Sequence, residues 1–298
     1  MVKRFPPWII KKLSLAPSDK NRGLKQVYEV RNLLRRLDLN TVCEGAHCPN
    51  LWECFSESTA TFMILGSICT RNCRFCAVAK GSPLPVDKKE PERLARAVKK
   101  LGLKHVVITS VTRDDLPDGG ASQFFSTIME VRSINPEVVI EVLIPDFGGS
   151  REAIEQVLEA RPDIIGHNLE TVPSLYRKVR PRASYGRSLG LLKLVKILRP
   201  DTHTKSSLML GLGEKEQEIL SVMEDLRGID CDILTMGQYL QPSGSHLGIR
   251  RFVPPGKFEE YKKVAEKMGF LFVASGPFVR SSYRASEFSI RFIRSAGL

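Results

Sequence analysis

Thr61-Phe-Met-Ile-Leu-Gly66 is followed, two residues on, by Cys69-Thr-Arg-Asn-Cys73-Arg-Phe-Cys76. The first segment is short, apolar and closed by glycine, the pattern of a buried strand. The three cysteines, spaced Cys-x3-Cys-x2-Cys, therefore sit on a loop just past a strand end. Thiolates at such short spacing let one loop wrap one iron–sulfur cluster. Three ligands leave one iron of a four-iron cluster open to another molecule. A zinc site more often shows Cys-x2-Cys pairs or Cys pairs with His pairs, and a structural zinc loop is the alternative reading.

The 298 residues are 42% hydrophobic and 26% charged, enough for one large domain with a sizeable core. Lys and Arg number 45 against 33 Asp and Glu, a formal net charge of +12 spread along the chain. That excess favours acidic partners without choosing among them. Seven cysteines, six of them clustered, suggest metal binding in a reducing compartment, not a disulfide framework. No apolar run approaches a membrane span. The basic start Met1-Val-Lys-Arg-Phe-Pro-Pro-Trp-Ile-Ile-Lys-Lys is interrupted by Pro6 and Pro7, which argues against a secretory signal. The expectation is a cytoplasmic protein with neither a membrane nor a nucleic-acid partner.

Residues 1–21 read as an extended arm because Pro6, Pro7 and Pro17 discourage helix. Residues 22–38 place Val27, Val30, Leu34 and Leu37 on one helical face. A second triplet follows, Cys43-Glu-Gly-Ala-His-Cys48-Pro-Asn-Leu-Trp-Glu-Cys54, spaced Cys-x4-Cys-x5-Cys. A zinc site with His47 as fourth ligand is the alternative there, although the tight Cys-x2-Cys knuckle is missing.

The first triplet resembles the signature of the radical S-adenosylmethionine superfamily, and the two triplets together look like those of the lipoyl synthases. The superfamily resemblance implies that the open iron of the Cys69, Cys73, Cys76 cluster chelates S-adenosylmethionine, whose cleavage gives a 5′-deoxyadenosyl radical. The family resemblance implies a second [4Fe-4S] cluster on Cys43, Cys48 and Cys54.

Beyond residue 60 apolar strands alternate with amphipathic helices. Strands are expected at 61–66, 104–109, 138–144, 163–168, 204–210 and 232–239. Helices are expected at 91–101, 121–134, 150–160, 187–198, 214–227 and 257–268. Such alternation means a parallel sheet. Six units are too few for a closed eight-fold barrel, so the fold class is α/β, a partial (β/α)6 TIM-like barrel. The expected division is an N-terminal extension at 1–58, the barrel at 59–270 and a tail at 271–298. Chemistry is then expected at the carboxyl ends of the strands.

Strand two ends Thr109-Ser110, before Val-Thr-Arg-Asp-Asp115; these polar groups can hold an amino acid or ribose, or form a plain turn. Glu141, inside strand three, needs a cationic partner if buried. On strand four Asn168 and Glu170 fall on one side by alternation, and an amide beside a carboxylate suits a polar ligand. His167 reads as a structural hydrogen-bonding residue. Arg180 or Arg182 can grip a carboxylate through a bidentate fork. Gly211-Leu-Gly213 allows close backbone approach or is simply a turn. Gln238 ends strand six, and lone Cys231 reads as a small buried residue.

The stretches around Asn168 and Glu170, Arg180–Tyr185, Gln238 and the tail's Arg280-Ser-Ser282-Tyr are similar to lipoyl synthase segments from about residue 40 to about residue 284. The resemblance implies that Ser282 completes the second cluster. It implies that Phe75, Thr109, Ser110, Asn168, Glu170, Arg182 and Gln238 surround S-adenosylmethionine. The expected reaction inserts sulfur at C6 and C8 of an octanoyl-lysine. The expected substrates are octanoylated carriers, the 2-oxoacid dehydrogenase acyltransferase subunit and the glycine cleavage H protein, with flavodoxin or ferredoxin as electron donor. A radical methylthiolating enzyme acting on RNA and a non-catalytic metal-binding protein are the alternatives. No basic or aromatic-rich RNA module is appended.

Overall fold

The computed structural model describes residues 5–14, 20–289 and 291. Helices α1 (Pro7–Ser14) and α2 (Lys20–Arg36) lead into β1 (Asn40–Thr41), α3 (Val42–Gly45) and α4 (Leu51–Ser56). Strand β2 (Thr61–Ile64) then enters the cysteine loop, whose base is closed by the parallel pair β3 (Ile68–Cys69) and β4 (Ala79–Lys80). Alternating units follow: α5 (Glu90–Leu101), β5 (His105–Ser110), α6 (Ala121–Ile134), β6 (Val139–Leu143), α7 (Arg151–Glu159), β7 (Ile164–Gly166), α8 (Tyr176–Val179), α9 (Tyr185–Leu198), β8 (His203–Leu210), α10 (Glu216–Arg227), β9 (Ile233–Gln238), α11 (Pro255–Lys267), β10 (Phe272–Gly276) and α12 (Ser286–Phe288).

The large sheet runs β1-β2-β5-β6-β7-β8-β9-β10, parallel throughout except for the antiparallel β1–β2 edge. Among the described residues β1 and β10 do not pair, so the fold is an open, partial TIM-like barrel. Its helices bury one apolar face each. In α5 these are Leu94, Ala97 and Val98, and Gly102 ends the helix in the left-handed conformation at φ 63°. The Ser150 hydroxyl caps α7 by accepting from Ala153 N–H.

The six expected strands are β2 and β5 to β9, within one or two residues at most ends. Three local expectations are corrected. The arm is helical over Pro7–Ser14: Pro7 occupies the first turn, where its missing N–H costs nothing, and Ile9 is buried; Pro17 lies outside the described residues. Strand β7 stops at Gly166 instead of continuing to residue 168. Helix α10 starts after Glu214, because that carboxylate folds back to accept the N–H groups of Gly211, Leu212 and Gly213 at 2.7, 2.9 and 3.0 Å. Gly211-Leu-Gly213 is thus a strand-to-helix turn, and a Cβ on Gly211 would lie 2.4 Å from the Arg251 carbonyl oxygen.

Besides the β3–β4 pair, two strands of the large sheet were not expected. The short β1 borders β2, and β10 adds Phe272-Val-Ala-Ser-Gly276 to β9 in register. Inside the barrel Glu141 is 2% exposed and has its cation, Lys205 Nζ at 2.7 Å, with His105 Nε2 on its other oxygen at 3.2 Å. Cys231 is fully buried in the core.

Candidate active site

The strand ends open into one cavity of about 470 Å³. Its wall includes Cys69, Cys73 and Cys76 from the β3–β4 loop, Cys43 and Cys48 from the N-terminal extension, and Ser282 from the tail. Cys54 is not on the wall but lies close enough to Cys43 and Cys48 to feel their charge.

The first triplet is held by its own loop. Cys69 Sγ accepts N–H bonds from Arg71 at 3.4 Å and Thr112 at 3.3 Å. Thr70 donates its hydroxyl to the Thr112 carbonyl and accepts from Asp114 N–H, tying this loop to the one after β5. Arg71 is buried and forks onto Asp114, with a further bond to Asp146 at 2.5 Å. Burial alone would raise the Asp146 pKa, but the Arg71 hydrogen bond and charge hold it down at about 2.

The second triplet is roofed by the tail, more than 220 positions later in the chain. Asn50 Nδ2 donates to the Phe278 carbonyl at 2.7 Å, and the Tyr283 hydroxyl donates to Glu53 Oε1 at 2.6 Å. Thr61 donates its hydroxyl to Ser282 Oγ at 2.9 Å and also hydrogen-bonds the Cys43 thiol, so these two candidate ligands meet at the start of β2. The tail reaches this place because β9 carries Gly237: a Cβ there would stand 2.0 Å from the Val279 carbonyl oxygen.

Burial pushes the Cys43 and Cys76 thiols up to about 11 and Cys54 up to about 12; Cys48 and Cys73 move the same way for the same reason. Without a cation these sulfurs stay protonated, and metal binding must displace the protons.

On the barrel side, Thr109 spends its hydroxyl on the Leu143 carbonyl, whereas Ser110 Oγ and Asn168 Oδ1 are buried without a partner. Asn168 Nδ2 donates to Glu170 Oε1 at 3.0 Å, so amide and carboxylate do stand together. Strand alternation is not the cause, since β7 has already ended. A left-handed Glu170, φ 67°, bridges to β8 and turns its side chain back into the cavity. Burial raises the Glu170 pKa, and the Arg180 charge offsets part of the rise. Arg180 is itself buried and donates to the Asn168 and Leu169 carbonyls and the Tyr176 hydroxyl, which fixes this turn. His167 bonds the Ile144 carbonyl and the Ser188 hydroxyl; burial lowers its pKa to about 4, as suits a structural imidazole.

Other candidates separate. Phe75 lines the wall beside Tyr239. Gln238 also borders the cavity, but its amide is used on the carbonyls of Leu210, Tyr239 and Arg251 and on Val253 N–H. Arg182 is off the wall and exposed, donating to the Thr70 carbonyl at 2.9 Å. Sequence reasoning gave no role to Arg71, Thr61 or Arg280. Arg280 lines the cavity close enough to act on Cys48 and Glu170, with Nη1 bound to the Val279 carbonyl at 2.7 Å. Only the contacts made by folding distinguish these three from ordinary basic and hydroxyl residues.

The donor set fits iron–sulfur clusters. Each triplet offers three soft thiols, with N–H···S bonds of the kind that tune such clusters. Among the described residues no three Cys, His, Asp or Glu side chains converge on a point that could hold a single metal ion. The partnerless Ser110 and Asn168 oxygens offer polar contacts to a ligand seated above the first triplet.

Comparison with known proteins agrees with this geometry. The family model described as Radical SAM superfamily matches residues 63–226. The lipoyl synthase of Caldanaerobacter subterraneus subsp. tengcongensis is 56% identical over 285 residues, covering 96% of this chain and 97% of that one. That of Alkaliphilus metalliredigens is 54% identical and covers 96% of each. Streptococcus suis SuiB bound to S-adenosylmethionine superposes with a TM-score of 0.56 at 12% identity, over 76% of this chain and 54% of that one, a likeness of fold alone. The chain belongs to the lipoyl synthase family of the radical S-adenosylmethionine superfamily.

Proposed function

We propose that this chain inserts sulfur at C6 and C8 of an octanoyl group attached to a lysine of a carrier protein, using two four-iron clusters with separate tasks. The observation that carries the two-cluster reading is the single cavity faced by Cys69, Cys73 and Cys76, by Cys43 and Cys48 of the second triplet, and by Ser282. The alternative of an RNA-modifying relative has no feature of the site in its favour.

Membership of the superfamily brings one four-iron cluster and S-adenosylmethionine. Together these supply a radical able to break unactivated C–H bonds that no side-chain acid or base could reach. The chain's own residues hold and orient. Cys69, Cys73 and Cys76 provide the thiolates for that cluster, and the Arg71–Asp114–Asp146 lattice fixes their loop. Ser110, Asn168 and Glu170 face the space beside it and are assigned to S-adenosylmethionine. Cys43, Cys48, Cys54 and Ser282 are assigned to the second cluster, the sulfur source. Met63, Leu143, Leu208, Met209 and Leu240 give the cavity an apolar wall suited to an alkyl chain and hostile to water.

In this proposal residues 1–58 and 271–298 form the sulfur-donating part and 59–270 the radical-generating part. Octanoylated domains of 2-oxoacid dehydrogenases and of the glycine cleavage system are the assigned carriers, and a flavodoxin or ferredoxin the assigned reductant. A reducing cytoplasm fits the seven free cysteines. Among the described residues no helix is long and apolar enough to cross a membrane.

The test is mass spectrometry of an octanoylated carrier peptide after anaerobic incubation with reconstituted protein, reductant and S-adenosylmethionine. A product gaining two sulfurs with no net loss of hydrogen in its reduced dithiol form, and two hydrogens fewer as the disulfide, matched to a lipoyl standard, supports the reading. Cleavage of S-adenosylmethionine with no sulfur entering the peptide contradicts it.

A further inference from the structure

Four exposed cations stand beside the cluster loop: Arg74, Lys80, Arg177 and Lys178. Folding brings them together. Arg74 N–H donates to the Val179 carbonyl at 2.9 Å and its carbonyl accepts Leu247 N–H at 3.0 Å, which seats α8 against the loop. Val179 packs with Phe75 and Tyr239, both on the cavity wall, while Arg177 and Lys178 point away from that contact into solvent. Lys80 pairs in register with Cys69 and lies on the cavity rim. Among the described residues no carboxylate pairs with any of the four. Asp114 is engaged by Arg71, Glu170 by Asn168, and Glu218 by Ser174 and Lys215 N–H.

Unpaired cations at a cavity mouth raise the local concentration of an anionic partner and orient it on approach. The cavity of about 470 Å³ is partly apolar and too small for a folded domain, so what enters is an extended chain, while the body attached to it stays outside against this rim. We propose that the Arg74, Lys80, Arg177 and Lys178 rim docks an acidic face of the octanoyl-bearing carrier protein. This rests on the lipoyl synthase reading of the cavity. The rim contributes encounter and orientation, not chemistry, so it acts on a folded carrier and is indifferent to a small uncharged substrate.

The experiment compares kcat/KM on an octanoylated carrier domain with kcat/KM on an uncharged octanoyl-lysine tripeptide, for the unmodified protein and for Arg177→Glu/Lys178→Glu. These two positions are exposed, off the cavity wall and outside the cluster loop, and circular dichroism checks that the variant is folded. For the carrier, kcat/KM should fall about tenfold or more in the variant, and comparably when salt is raised from about 50 to 300 mM in the unmodified protein. Tripeptide turnover should stay within about twofold in both cases. Replacing carrier acids near the octanoyl-lysine with lysine should restore part of the variant's loss. Equal losses on both substrates, or carrier turnover indifferent to salt, overturn the docking proposal. So does a short RNA that displaces the carrier at equal salt and binds more tightly. Conversion of neither substrate by the unmodified protein overturns the reading of the site itself and the docking proposal with it.

Discussion

Removing one partner from the buried Glu141–Lys205–His105 cluster should unfold this protein far more readily than removing two. Glu141 on β6 is 2% exposed, Lys205 on β8 is 4% and His105 on β5 is 7%. Glu141 Oε1 receives the Lys205 ammonium at 2.7 Å and Oε2 faces His105 Nε2 at 3.2 Å, while His105 Nδ1 meets Ser289 Oγ at 3.0 Å. Burial by itself would raise the Glu141 pKa; Lys205 and His105 outweigh it and hold the carboxylate below its ordinary range. Glu141→Gln keeps the shape and removes the charge, leaving an ammonium inside the barrel with no anion. Breaking a buried pair in this way costs about 3–5 kcal/mol. At about 2–3 °C per kcal/mol for a chain of this size, the melting temperature should fall by roughly 6–15 °C. Glu141→Leu/Lys205→Met removes both charges and should come within about 2 kcal/mol of the parent, because neither desolvated ion remains. The assay is urea denaturation of the parent, Glu141→Leu, Lys205→Met and their double variant, with Glu141→Gln alongside, without metal and read by circular dichroism. Additive single effects, or a Glu141→Gln protein within about 1 kcal/mol of the parent, would refute the reasoning.

Three further outcomes follow from the site and its surroundings. Anaerobic reconstitution should load about eight irons, and Ala at Cys43, Cys48 and Cys54 should halve that while sparing S-adenosylmethionine cleavage; iron analysis and 5′-deoxyadenosine release check both. Ser282→Ala should keep cleavage and lose most sulfur insertion, with Ser281→Ala much milder, as read by product mass spectrometry; parent-level lipoyl product from Ser282→Ala removes the ligand assignment. In acid, His167 has a folded pKa of about 4 against an ordinary 6.5, so the unfolded chain takes up its proton first; stability should decline from about pH 6.5 toward 4, by up to about 1.4 kcal/mol per pH unit, and His167→Gln should flatten that decline in urea midpoints.

The sequence by itself determined the cofactor chemistry and the strand–helix rhythm, because both are local. Cysteine spacing within one loop decides whether its thiols can share a cluster, and apolar periodicity marks each strand and helix without reference to its neighbours. The need of Glu141 for a cation was legible too, since a strand interior buries whatever it carries. Which groups answer it was not: the Lys205 ammonium and the His105 ring reach it from other strands of the sheet. The same holds across the site. Ser282 comes beside Cys43 only because Gly237 admits the tail and Thr61 binds both residues. Asn168 and Glu170 share the cavity through a left-handed turn that strand alternation does not foresee. Arg182, alike in sequence to a carboxylate-binding arginine, points outward, while Arg71 and Arg280 point in. Strand β10 lacks a strong pattern of its own and exists because β9 offers it an edge. These are long-range contacts, set by where the chain returns after tens or hundreds of residues, and only the folded barrel fixes them.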